Sequence, residues 1–161
     1  DLEFRPDFEN FMIRILAVLA ICLSIAGAAA GPASADELFV VTADGRRYRF
    51  DIEVAADTKS QMRGLMFRQS LAPNAGMLFP FQPEQSLAMW MKNTLIPLDI
   101  IFIAGNGRIR NIAERAQPGD TSLKSSDGPV RAVLEVNGGT ADRLQIRPGD
   151  LVLHPVFSGA K

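Results

Sequence analysis

The chain is poor in cysteine, histidine and tryptophan, and these shortages argue against several classes of protein. One cysteine in 161 residues excludes an intrachain disulfide framework. With one histidine and one cysteine, the chain has too few of the residues that usually bind zinc, which argues against a zinc site of the usual kind. A formal net charge of −1 offers no basic surface to a nucleic acid. Glycine patterns for phosphates or dinucleotides are absent, so no cofactor and no nucleic-acid partner are predicted.

A long apolar run is found only near the amino terminus. No charge occurs between Ile15 and Ala35, and the strongly apolar stretch Ile15–Ile25 leads through small residues to Ala33-Ser34-Ala35. This order is typical of a secretory signal peptide cleaved after Ala35. The alternative, a membrane anchor, needs an apolar span of about 20 residues, and this stretch is too short. We therefore predict export, to the periplasm, with no membrane span after cleavage.

The chain divides into three segments on this interpretation. Residues 1–11 are rich in acidic side chains, unlike the start of a signal peptide, and are interpreted as a misplaced start or as residues added for expression. Residues 12–35 form the signal peptide, and residues 36–161 form a single domain. Cys22 belongs to the signal peptide, so the domain has no thiol for catalysis.

Alternation of apolar and polar residues dominates the domain and predicts β-strands. Arg47–Val54 alternates strictly, and Asp44-Gly45 predicts a hairpin turn between it and a strand at Leu38–Thr42. Apolar runs predict further strands at 98–103, 108–115, 131–136 and 151–157. The predicted fold is mainly β (α+β): a small antiparallel sheet, closed as a barrel to remove its edges, with one or two short helices.

Helical patterns are few. Thr58-Lys59-Ser60-Gln61 has the form of a capping box, with Thr58 as N-cap and Gln61 at the third helical position. Apolar residues then follow at helical spacing, which predicts a helix to about Arg68. Thr140–Gln145 is predicted as a second, single-turn helix.

Unusual residues are concentrated in the middle of the chain. Lys92, Asn93 and Thr94 follow Trp90, the only tryptophan, where a strand is expected to end. These polar residues either line a pocket or form a turn whose side chains satisfy nearby backbone groups. The sequence alone favours the turn slightly.

Two acidic residues in apolar surroundings are candidate acid–base groups. Asp99 lies in an otherwise apolar strand, and a buried carboxylate must be paired, hydrogen-bonded or neutral. Arg63, Arg68 and Lys92 are candidate partners for a structural ion pair. Glu135 either faces solvent or converges with Asp99, in which case the two carboxyl groups suit hydrolysis of a glycosidic bond.

The methionines and the histidine admit both a chemical and a structural interpretation. Met89 and Met91 are expected on one face of a strand, and their thioethers suit Cu(I). Methionine also fills irregular cores, and this second interpretation is the simpler one. His154 lies in a predicted strand and is interpreted as a packed or edge histidine.

The motifs taken together resemble the DUF192 family, also called UPF0127, of small bacterial and archaeal proteins that are often made with a signal peptide. The resemblance covers about residues 38–157. It is carried by short pieces of the chain: Arg63-Gly64-Leu65-Met66 with Arg68, Gly76-Met77-Leu78-Phe79, Trp90-Met91-Lys92-Asn93-Thr94, Pro97-Leu98-Asp99, Val133-Leu134-Glu135 and Gly149-Asp150. The resemblance implies a compact, mostly β domain with a short helix that carries Arg63-Gly64-Leu65-Met66. It implies no activity, because the family's function is unknown.

The polar positions of this pattern define the predicted site. With Trp90, they are Arg63, Arg68, Lys92, Asn93, Thr94, Asp99 and Glu135. Our leading hypothesis is an exported binding or accessory module of the cell envelope whose pocket takes a small polar ligand, a sugar or an anion. The alternatives are an envelope glycan hydrolase using Asp99 and Glu135, and a Cu(I)-handling module using Met89 and Met91.

Overall fold

The computed structural model describes residues 36–158. The predicted signal peptide, the segment 1–11 and Cys22 lie outside the described residues. No helix within residues 36–158 is long and apolar enough to cross a membrane. The structure is mostly β, as the sequence predicts.

Strands account for most of the regular structure between residues 36 and 158, and the two α-helices found there are short. The elements are β1 Asp36–Val41, β2 Arg47–Val54, α1 Thr58–Arg63, β3 Ala75–Gln85, β4 Ala88–Met89, β5 Leu98–Ile103, β6 Ile109–Ala116, β7 Lys124–Ser125, β8 Val130–Asn137, α2 Thr140–Leu144 and β9 Leu151–Leu153, followed by a 3₁₀ turn at Pro155–Phe157.

Seven of these strands form one sheet in the order β6-β5-β8-β3-β2-β1-β9, and β4 pairs with β7 separately. The predicted barrel is wrong. The sheet stays open: its two edges meet at one isolated bridge, Arg108 to Leu151, and at a few backbone hydrogen bonds around it, but β6 and β9 are not paired as strands. The sheet is mainly antiparallel, as predicted, apart from β2 and β3, which run parallel. A parallel pair needs a crossover, and the segment containing α1 supplies it.

The sheet is covered on both faces, so two hydrophobic cores lie on opposite sides of it. Ile101 and Leu134 belong to one core, which also contains Ala141 of α2. Ile100 and Phe79 belong to the other, which contains Leu65 from the turn after α1. Every residue of β5 is therefore buried, in agreement with its apolar sequence.

The first helix is shorter than predicted and begins one residue earlier. Asp57, not Thr58, is the N-cap: its carboxylate accepts from the Ser60 amide at 3.0 Å, and Ser60 completes the capping box. The helix ends at Arg63 because Gly64 adopts φ 48° and ψ −137°, which no helical residue adopts.

Two prolines account for two further differences. Strand β3 was not predicted, because Pro80 and Pro83 interrupt its pattern, and its pairing with β8 shifts register between Pro80 and Gln85. The last predicted strand ends at Leu153, because Pro155 begins a 3₁₀ turn. His154 caps that turn, with Nδ1 accepting from the Val156 amide at 3.2 Å, which is a structural role.

Candidate functional site

A small cleft lies on the α1 side of the sheet, above Glu135, and we refer to it as the Glu135 cleft. Its volume is about 40 Å³. By the same measure one water molecule needs about 10–15 Å³, so the space suits an ion or a few heavy atoms. Four separate parts of the chain line it: Gln61 to Met66, Phe79, the segment containing Met89, Trp90 and Thr94, and Glu135.

Glu135 occupies an apolar position of β8. It lies opposite Met77 of β3 and Ile100 of β5, and only 4% of its surface is exposed. No described residue forms a hydrogen bond with its side chain. Burial raises the pKa of the Glu135 carboxyl to about 8, so the group is mostly protonated at pH 7. The expectation that Glu135 faces solvent is wrong, because the turn after α1 covers this face of the sheet.

The segment Arg63 to Met66 forms one wall of the Glu135 cleft. Leu65 is buried in the core beneath, so the backbone of the turn is anchored while Arg63 remains exposed. Gly64 lies against the Phe79 ring, and its φ of 48° belongs to a region that side chains rarely adopt.

Substitution of Gly64 by alanine is expected to destabilise the fold and to disturb this wall. A Cβ there would lie 3.3 Å from Phe79 Cζ and would force a strained φ. We expect the free energy of unfolding to fall by about 2–3 kcal/mol in urea titrations. The matched control is Gly119→Ala, which has φ 74° but no neighbour within 4 Å. Equal losses for the two variants would show that the contact with Phe79 is unimportant.

The opposite wall is the segment from Met89 to Thr94, and its residues divide between pocket and turn. Trp90 and Thr94 line the cleft. Lys92 lies outside it, with Nζ 5.2 Å from the centre of the Trp90 ring, a cation–π contact. Asn93 forms a turn with φ 56°, and its carbonyl accepts from the Phe67 amide at 2.9 Å. Both interpretations of this segment therefore hold, each for different residues.

Arg68 holds the covering turn onto the sheet. Its guanidinium makes two hydrogen bonds to the Glu53 carboxylate, at 2.5 and 2.6 Å. These bonds lower the pKa of Glu53. Arg68 lies beside Arg63 in a second cleft of about 260 Å³, outside the Glu135 cleft. It therefore positions the wall rather than facing the candidate ligand.

Asp99 is fully buried on the opposite face of the sheet. Its carboxylate accepts from the backbone amides of Arg115, Gly139 and Ala141, at 2.7, 2.9 and 2.8 Å. None of the predicted partners Arg63, Arg68 and Lys92 contacts it, because backbone amides at the end of β6 and at the start of α2 supply the donors. Asp99 therefore fixes the start of α2.

The predicted two-carboxylate hydrolase is contradicted by the register of the sheet. Asp99 pairs with Val136 and Ile100 with Glu135, so the two carboxyl groups point to opposite faces. Within residues 36–158, no second carboxylate lines the Glu135 cleft. A glycosidase of the usual kind needs two carboxyl groups within about 10 Å across one cleft.

The structure places Gln61, Met62 and Met66 in the lining of the Glu135 cleft and places Met91 outside it. Met91 is fully buried in the core, whereas Met89 lines the cleft. The sequence places Met62, Leu65 and Met66 at helical spacing after Gln61, which favours a core-facing stripe rather than a site. Only Met62, which is 73% exposed, could not be explained by that stripe. Groups of three or more His, Cys, Asp or Glu side chains that could hold a metal are absent from the described part of the chain.

The fold and the site together define a class of protein domain: an open mixed sheet in which the crossover segment between two parallel strands covers a buried glutamate. The DUF192 family model, described as "Uncharacterized ACR", matches residues 39–154. The chain belongs to the DUF192 family. Comparison with curated protein sequences finds no match.

Two crystal structures are similar to this chain. A protein from Sinorhizobium meliloti 1021, described as a proposed transcription regulator, is 43% identical, with a TM-score of 0.72 over 73% of this chain and 92% of that one. A protein of unknown function from Novosphingobium aromaticivorans DSM 12444 is 44% identical, with a TM-score of 0.71 over 73% of this chain and 84% of that one.

Proposed function

We propose that the protein is an exported binding module of the cell envelope and that the Glu135 cleft holds its ligand. The observation that carries the proposal is the Glu135 side chain, which is 4% exposed and has no hydrogen-bond partner among the described residues. Buried polar groups are nearly always partnered, and one that opens into a cleft is suited to a partner from outside the chain. An ionisable group with a raised pKa in a cleft is also a common mark of a functional site.

The Glu135 carboxyl and the size of the cleft favour a small ligand that carries a hydrogen-bond donor or a positive charge. A carboxyl group accepts from donors, and its ionised form attracts cations and repels anions. The volume of about 40 Å³ is too small for a whole sugar ring. Of the ligands that the sequence suggested, a sugar and a simple anion are therefore less suited than a small cation or a protic group.

Trp90 makes this proposal testable, because the chain has one tryptophan and it lines the cleft. We expect at least one of ammonium, methylammonium, glucose, phosphate, acetate and Ag(I) to change Trp90 fluorescence and raise the melting temperature. A ligand at 100 times its Kd adds about 2.7 kcal/mol of stability. We expect the effect to be lost in Glu135→Leu.

The matched control is Asp127→Asn, which alters an exposed carboxylate that does not line the cleft. This variant should respond to the ligand like the unaltered protein. A lack of response to all six compounds, or a response that persists in Glu135→Leu, would contradict a ligand site above Glu135.

A further inference from the structure

The methionines of the described domain divide into two groups with different surroundings. Met77 and Met91 are buried in the core, with 5% and 0% of their surfaces exposed. Met62, Met66 and Met89 all line the Glu135 cleft, although they come from α1, the turn after it and β4. Core filling explains the first group. It does not explain Met62, which is 73% exposed.

We infer that the Glu135 cleft binds a soft monovalent metal ion, Cu(I), through the thioethers of Met62, Met66 and Met89. The inference rests on the proposed function and names the ligand class of that same cleft. Thioether sulfur is a soft ligand that selects Cu(I) over hard cations. Mg²⁺ and Ca²⁺ require several oxygen ligands, and Glu135 is the only carboxylate among the cleft residues.

The size and charge of the cleft favour one small monovalent ion. A volume of about 40 Å³ accommodates a single ion beside its ligands. Three thioethers are neutral, and ionised Glu135 supplies one negative charge to balance one positive charge. Arg63, which is exposed, also lines the cleft; its positive charge repels any cation and repels a divalent ion about twice as strongly as a monovalent one.

Trp90 lines the same cleft as Met62, Met66 and Met89. The exposed face of Trp90 beside the thioethers should report occupancy through quenching of its fluorescence.

The test is an anaerobic titration with Cu(I), repeated with redox-inert Ag(I), on the purified protein carrying Cys22→Ser. This substitution removes the chain's one thiol, a competing soft ligand. We expect one ion per chain and quenching of Trp90. Each of Met62→Leu, Met66→Leu and Met89→Leu is expected to weaken binding at least tenfold, because leucine keeps the volume but removes the sulfur.

The matched controls are Met77→Leu and Met91→Leu, which remove core thioethers outside the cleft. Both should retain the affinity of the parent protein. Absence of Cu(I) and Ag(I) binding, or binding that the three cleft variants leave unchanged, would overturn the inference. A response to ammonium or another compound without one to the metals would also overturn it, while leaving the proposed function standing. A lack of response to the metals and to all the other compounds would contradict both the inference and the proposed function.

Discussion

Glu135→Gln is expected to stabilise the protein by several kcal/mol at pH 8.5 and to have little effect at pH 4. The pKa of Glu135 is raised from 4.5 to about 8 in the folded state by burial. Between these values the unfolded chain releases a proton that the folded chain retains, so the free energy of unfolding falls as pH rises. At about 1.4 kcal/mol per pH unit, the loss reaches about 5 kcal/mol above pH 8. Glutamine does not titrate and avoids this loss.

The measurement is urea unfolding of both proteins from pH 4 to pH 8.5, with the difference plotted against pH. Subtraction removes the titrations that the two proteins share. Glu114→Gln is the control, because Glu114 is exposed and its difference from the parent should stay within about 0.5 kcal/mol. A difference for Glu135→Gln that does not change with pH would contradict a buried carboxyl whose pKa is raised in the folded state.

Asp99→Ala is expected to lower the free energy of unfolding by at least about 4 kcal/mol. The carboxylate is fully buried and accepts from three backbone amides, at 2.7 to 2.9 Å. Hydrogen bonds to a charged group contribute about 1.5–3 kcal/mol each, and removal of the acceptor leaves buried donors unsatisfied. The loss should appear near neutral pH in urea titrations and in a lower melting temperature.

Asp99→Asn separates the roles of oxygen and charge. Asparagine keeps one oxygen acceptor but turns an amide donor toward backbone donors, so we expect a smaller but clear loss. The control Asp127→Ala removes an exposed carboxylate and should change stability by about 0.5 kcal/mol or less. A loss below about 1 kcal/mol for Asp99→Ala would show that the three amides find other partners.

The elements predicted well from the sequence are those whose neighbours lie next to them in the chain. The alternation of Arg47–Val54 and the Asp44-Gly45 turn predicted the β1–β2 hairpin, which the structure confirms. The apolar run at Leu98–Ile103 predicted a central strand with its observed bounds. In both cases local pattern and tertiary burial agree.

The predictions that were wrong depend on contacts between residues that are far apart in the sequence. Whether a sheet closes depends on how its first and last strands approach each other, and β6 and β9 are not paired, although the chain beside them forms one bridge and a few backbone hydrogen bonds. Strand β3 is placed beside β2 by the crossover segment, despite Pro80 and Pro83 in its sequence. Neither feature has a local signature in the chain.

The candidate site was predicted in part. Arg63, Trp90, Thr94 and Glu135 line one cleft, as a shared site requires. Asp99 was correctly recognised as a buried carboxylate, but its partners are backbone amides 16 to 42 residues away, which side-chain patterns do not reveal. The position of Glu135 also depends on the covering turn, so alternation within β8 alone left its face undecided.

The binding site depends on one group, the Glu135 carboxyl, and its pH titration followed by ¹³C NMR is the most direct test. Glu135→Gln identifies the signal by its loss. We predict a midpoint near pH 8, the raised pKa of this buried carboxyl, and a shift to lower pH when Ag(I) or another cationic ligand fills the cleft. A midpoint near 4.5, the ordinary value for glutamate, that no ligand moves would contradict the site.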